Sequence, residues 1–167
     1  MERMQPKRNL ALWVLGVVCA VSVLAMAVAL LHKPQQTAAT FTPPPFEATA
    51  LSGAPQDVPE ELAYGTLDAQ AYTLAVCAAP VVQANAAQLY FTNPADSTVW
   101  LKVRVYTADG ALLGESGLLK PGEYVQAVAL RPVPAQDTAV VLKVMAYEPD
   151  TYHSAGAVTL STTLLVS

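Results

Sequence analysis

The second half of this chain predicts an all-β fold, an antiparallel immunoglobulin-like sandwich of seven to eight strands. Three observations carry that prediction. Runs rich in Val, Leu, Thr and Tyr are broken by turn residues at intervals of about 8–12 residues, the spacing of a sandwich or barrel. Apolar and polar residues alternate within the longest runs, so each strand has one wet face and one dry face. Helical periodicity is confined to one segment near the start, where Leu10–Leu31 is apolar throughout and uncharged.

That segment is read first. Its 22 residues make a helix of about 33 Å at about 1.5 Å per residue, enough to cross a hydrocarbon core of about 30 Å. A cleavable signal peptide would have a shorter apolar region, about 7–15 residues, so length favours a retained transmembrane helix over 10–31 that meets the lipid bilayer. Arg3, Lys7 and Arg8 precede it, whereas after Lys33 the next Lys or Arg is Lys102. Basic flanks stay cytoplasmic. The expected placement is therefore a single-pass protein of the plasma membrane, with residues 1–9 inside and the C-terminal domain outside.

Residues 32–62 are rich in Pro, Thr, Ala and Gln, with Pro43-Pro44-Pro45 at their centre. Large apolar residues are too sparse there to build a core, which predicts a disordered or extended linker. The β domain then occupies 63–167. Residues 1–33 carry four bases and one acid, net +3; residues 34–167 carry five bases and twelve acids, net −7. An acidic exported part argues against a nucleic-acid partner. Cys77 is the single cysteine after Cys19, so the domain is expected to hold no internal disulfide and to bury that thiol as a small apolar group.

Strands are predicted near Ala71–Val76, Val81–Ala84, Ala87–Thr92, Val99–Tyr106, Ala111–Glu115, Tyr124–Leu130, Thr138–Tyr147 and Ala157–Val166. The breaks carry turn chemistry: Asn93-Pro94, Asp109-Gly110, Lys120-Pro121-Gly122-Glu123, Pro132 with Pro134, and Pro149-Asp150. Alternation assigns faces. Val99, Leu101, Val103 and Val105 point to the core, leaving Trp100, Lys102, Arg104 and Tyr106 outside. Val140, Leu142, Val144 and Ala146 point inward, leaving Lys143, Met145 and Tyr147 outside. In the last strand Val158, Leu160, Leu164 and Val166 face in.

Phe91-Thr92-Asn93-Pro94, the strand Val99–Tyr106, Thr107-Ala108-Asp109-Gly110, the stretch Glu115–Tyr124 and the closing strand pair together support a resemblance. They resemble a group of small, membrane-anchored, immunoglobulin-like proteins of Gram-positive bacteria, many without assigned function. The resemblance spans Leu89–Ser167 and rests on turn-forming motifs. It implies fold and location and carries over no catalytic residue. The chain departs from immunoglobulin domains proper in lacking a Cys…Trp…Cys framework and in placing Trp100 on the polar face of its strand.

If strand 99–106 neighbours strand 138–147, their outward residues form one surface: Trp100, Lys102, Arg104, Tyr106, Lys143, Met145 and Tyr147. Aromatic and Arg-rich surfaces are favoured at protein interfaces, and the cations could meet an anionic wall polymer. In the loop Glu148–Ser154, the carboxylates of Glu148 and Asp150 with the His153 imidazole could ligate a metal, but one loop lacks a second cluster to complete the set. No Walker loop, GxGxxG, HExxH, CxxC or GxSxG element occurs. The expected protein is non-enzymatic, without metal or cofactor. It would be a membrane-anchored cell-surface accessory or binding module that contacts an envelope protein or wall polymer. The alternative is a bitopic structural subunit of a secretion or division assembly, docked through its small-residue helix.

Overall fold

Ten strands form among the described residues. The structure, a computed structural model, describes residues 13–23, 26 and 41–166. The strands are β1 (Leu51–Ser52), β2 (Tyr64–Asp68), β3 (Thr73–Cys77), β4 (Val81–Gln83), β5 (Ala86–Asn93), β6 (Trp100–Thr107), β7 (Leu112–Glu115), β8 (Glu123–Ala129), β9 (Thr138–Tyr147) and β10 (Ser154–Val166). The chain divides into two compact units, Met1–Phe41 and Thr42–Ser167.

In the first unit, residues 13–23 and 26 are helical. No helix of the described residues is long and apolar enough to cross a membrane. This finding corrects the expected transmembrane helix, and with it the single-pass placement and the bilayer contact of residues 10–31. The remainder of 10–31, and residues 32–40 of the expected linker, lie outside the described residues.

The second unit is built on a single ten-stranded sheet in the order β1-β8-β5-β4-β10-β9-β6-β7, with β3 also on β5 and β2 on β3. Two separate sheets of an immunoglobulin-like sandwich were expected, and a continuous curled sheet is found instead. The cause is the length of β10. Ser154 and the stretch from Gly156 to Leu164 run antiparallel to β9, and Leu165 and Val166 then pair in parallel with Val81 and Val82 of β4. The Leu165 N–H donates to Pro80 O at 2.9 Å. Pro80 has no N–H to extend the ladder, so the β10–β4 pairing stops there. At the opposite margin the Arg131 N–H donates to Leu113 O at 2.6 Å, bringing the sheet's two halves together. A Cβ at Gly114 would collide with Ala129 O, so only glycine permits this approach.

The curl encloses one core. Phe91, Leu74, Leu89, Leu101, Val103, Val105, Leu142, Val144 and Leu164 are fully buried in a single cluster. The inward sets inferred by alternation for β6 and β9 are those found inside, and Val158, Leu160 and Val166 of β10 pack against the same cluster. Each buried aliphatic side chain contributes about 1.5–3 kcal/mol of transfer free energy. A bulge between Gln88 and Phe91 lets β5 bend around this core, with Tyr90 at φ 46°.

The segment from residue 42 to 62, expected as part of a disordered linker, belongs to this unit. Glu47 anchors it. The Glu47 N–H donates to Leu118 O and the Leu118 N–H to Pro45 O, each at 2.9 Å. The Gly117 N–H donates to Glu47 Oε2 at 2.6 Å, and Thr49 Oγ1 donates to Glu47 Oε1 at 2.7 Å. Burial pushes the Glu47 carboxyl up, but these hydrogen bonds outweigh it and hold its pKa below the usual carboxylate value. Further on, β1 pairs with β8 and Leu62 is buried beside Cys77 and Tyr90. A Cβ on Gly117 would lie 2.5 Å from Glu47 N and 2.7 Å from the Phe46 carbonyl carbon. Gly117→Ala is therefore expected to undock residues 45–47. Limited proteolysis should then cleave within 42–52 while the rest of the unit survives, and denaturation should register a loss of about 1–2 kcal/mol.

Candidate functional site: an aromatic face on β6 and β9

β6 and β9 are adjacent and antiparallel, with Trp100 opposite Tyr147, Lys102 opposite Met145 and Arg104 opposite Lys143. Tyr106 lies one step further along the same face, opposite Val141. The seven outward residues named from the sequence thus share one surface of the sheet.

Their exposure and charge differ from expectation. Lys102 is only 4 % exposed, and its Nζ lies 2.9 Å from Glu115 Oε1 of β7. Arg104 Nε donates to Glu115 Oε2 at 2.7 Å. One carboxylate therefore neutralises two of the three bases on the face. Burial pushes the Glu115 carboxyl up, yet the hydrogen bonds from Lys102 and Arg104 prevail and hold its pKa below the usual value. Reciprocally, the hydrogen bond to Glu115 raises Arg104 against the opposing effect of desolvation. Lys143 stays exposed and forms no ion pair among the described residues, so one of the three expected cations is open.

What the face gains is aromatic surface. Phe46, brought in by the docked segment, meets Trp100 edge-to-face with centroids 4.9 Å apart. Tyr152 meets the same indole at 5.1 Å and an interplanar angle of 64°. Lys120 Nζ sits 4.7 Å above the Phe46 ring, a cation–π contact. Phe46 remains 39 % exposed. The loop that presents Tyr152 is tight: Tyr152 N–H bonds Glu148 O at 3.0 Å and Glu148 N–H bonds His153 O at 2.8 Å. Tyr152 is held at φ 56°, a left-handed conformation that is uncommon for a bulky side chain.

Sequence reasoning missed Phe46, Lys120 and Tyr152 as members of this surface. The available signal for Phe46 was a large aromatic inside an otherwise small and polar segment. Tyr152 sits in the loop singled out for metal binding. There His153 Nδ1 lies 3.9 Å from Glu148 Oε2 and both side chains are largely exposed. Among the described residues no group of three or more His, Cys, Asp and Glu side chains converges. Cys77 is fully buried, and desolvation pushes its thiol up to about 11.

Scans of the chain against protein-family models, curated proteins and solved structures found no match.

Proposed function

We propose that residues 42–167 form a non-catalytic binding module that engages a protein partner through the outer face of β6 and β9. The observation that carries this reading is the Phe46–Trp100–Tyr152 cluster. Three rings from three distant parts of the chain converge on one sheet surface and leave apolar area facing solvent. Tyr147, Met145 and the stem of Lys143 continue that surface. Rigid aromatics, methionine and a polar margin make up the composition favoured at protein interfaces. Backbone strain at Tyr152 points the same way, since such outliers persist where the surroundings hold them and cluster at functional sites. The charge arrangement favours a protein over an anionic polymer. Lys102 and Arg104 are paired with Glu115, which leaves Lys143 and Lys120 as the open cations beside the cluster, too little positive charge for polyanion binding.

Site-specific photo-cross-linking tests the proposal. A benzophenone side chain replaces Tyr147 on the face, or Gln126 on the exposed side of β8, in the full chain expressed in its own cells. The expected result is one discrete adduct from position 147, none from 126, and loss of the 147 adduct when Trp100 is changed to Ala. Equal labelling from both positions, or none from 147, would overturn the assignment.

A further inference from the structure

Between its pairing with β9 and the short pairing of Leu165 and Val166 with β4, β10 carries a stretch of outer edge that no described residue pairs. Hydrogen-bond alternation locates that edge. On β6, Leu101 exchanges backbone bonds with Leu119 (3.0 and 2.8 Å), and Ser116 N–H donates to Val103 O at 2.9 Å. The odd residues of β6 thus bond toward β7, and the even residues Trp100, Lys102 and Arg104 bond β9. Their opposites Tyr147, Met145 and Lys143 face β6, so Ala146, Val144, Leu142 and Val140 bond β10. Within β10 their opposites are Gly156, Val158, Leu160 and Thr162. The N–H and C=O groups of Ala157, Thr159, Ser161 and Thr163 therefore point away from β9. Leu165, of the same parity, confirms the direction by donating to Pro80 O.

Beside this edge runs a cleft of about 410 Å³ between β10 and the β2–β3 pair. Thr162 Oγ1 donates to Ala78 O at 2.5 Å and closes the narrow end. Leu67, Val76, Leu142 and Leu160 supply the apolar lining, with hydroxyls at its margin from Thr66 and from the β10 residues themselves. Among the described residues no charged one lines it. Ser154–Val166 contains no charge and no proline, and its one bulge lies at the start, between Ser154 and Gly156, so the stretch from Ala157 to Thr163 has neither the charges nor the proline by which edge strands usually discourage pairing.

We propose that the free edge of β10 accepts an extended peptide of a partner protein by strand addition, with an uncharged aliphatic side chain of that peptide seated in the adjoining cleft. Two independent features point to this occupant. A row of unpaired backbone donors and acceptors is satisfied by another strand, and a neighbouring apolar cleft selects one alternate side chain. The absence of lining charge excludes an ionic anchor, because a buried unpaired charge is costly. A second copy of β10 fits less well. Its outward residues are the small Ala157, Thr159, Ser161 and Thr163, and its aliphatic residues are committed to its own core, so it has nothing to fill the cleft.

The test is a random heptapeptide display library selected on the full chain. Selected peptides should carry aliphatic residues at alternate positions. On titration of one such synthetic peptide, the amide signals of Thr159 and Ser161 should shift. Ser161→Pro removes an N–H that β9 does not use, and Thr66→Trp fills the cleft from an exposed position; each should weaken the peptide by about tenfold or more while the thermal transition stays near that of the parent. No enrichment, binding unchanged in both variants, or self-association mapped to the β10 edge would overturn the proposal, the last by assigning that edge to a second copy.

Discussion

Replacing Asn93 with Asp is expected to cost about 3–5 kcal/mol at neutral pH, a large share of the about 5–15 kcal/mol that holds a typical domain together. Asn93 is fully buried at the end of β5. Its Nδ2 donates to Val99 O at 2.8 Å and to Leu119 O at 3.0 Å, tying β5 to the entry of β6 and to the strand-like stretch before β8. Its Oδ1 is buried with no hydrogen-bond partner among the described residues. An aspartate of the same shape would set a carboxylate oxygen against two carbonyl oxygens, with no water to dilute the repulsion. The sign of the pH dependence follows. Burial among acceptors raises the folded pKa of the new carboxyl above its unfolded value of about 3.9. The charge part of the cost is therefore absent well below about pH 3.9 and grows as pH rises through that value, while the loss of one amide donor persists at every pH. Chemical denaturation of the variant at pH 3 and pH 7 should show it much closer to the parent at the lower pH. Equal deficits at both would mean that loss of the two donated hydrogen bonds, and not charge, dominates.

Glu115→Gln should cost about 2–3 kcal/mol and should be largely rescued by a second change, Lys102→Met. Glu115 is itself partly exposed, at 39 %, so the direct loss of its two ion pairs is screened. The larger part of the penalty falls on Lys102, whose side chain is 5 % exposed and would lose its counterion. Methionine has similar bulk and no charge, and exchange of a buried ion pair for apolar groups is often neutral. The pH dependence has the opposite sign to that of the Asn93 variant. The Glu115 carboxyl is depressed in the folded state, so its contribution is present above the unfolded carboxylate pKa, about 4.3, and is lost as pH falls through the folded value. Glu47, depressed by its own hydrogen bonds, adds to the same acid sensitivity. Urea denaturation of the parent, the single variant and the double variant between pH 3 and pH 7 separates these contributions.

The strands were legible wherever period-two alternation ran for several residues. β6 and β9 bury Val103 and Val144 completely while Trp100 and Tyr147 stay on the other side, and this follows from side-chain direction alone. β1 and β2 were not legible. Leu51–Ser52 is too short to show a period, and Tyr64–Asp68 reads YGTLD, with Gly65 and Asp68 both poor strand formers. Their pairing partners, β8 and β3, supply the order that local sequence does not. Composition misled over residues 42–62 for a related reason. A Pro-rich stretch cannot form its own core, yet it can be tied to another one through Glu47 and Leu118. Composition also overstated the basic character of the face, because Glu115 sits eleven positions from Arg104 and reaches it only through the β6–β7 register. The apolar run pointed to a membrane span as well, whereas no helix of the described residues is long and apolar enough to cross one.

The aromatic face depends on Phe46 being held against Trp100 by a segment that composition alone would leave loose. Ring-to-ring nuclear Overhauser effects in the full chain, with phenylalanine and tryptophan selectively protonated in a deuterated background, measure this directly. Cross-peaks between the Phe46 ring and the Trp100 indole, lost in Gly117→Ala, are the predicted result. Random-coil shifts at Phe46 and an indole that sees only Tyr152 would contradict it.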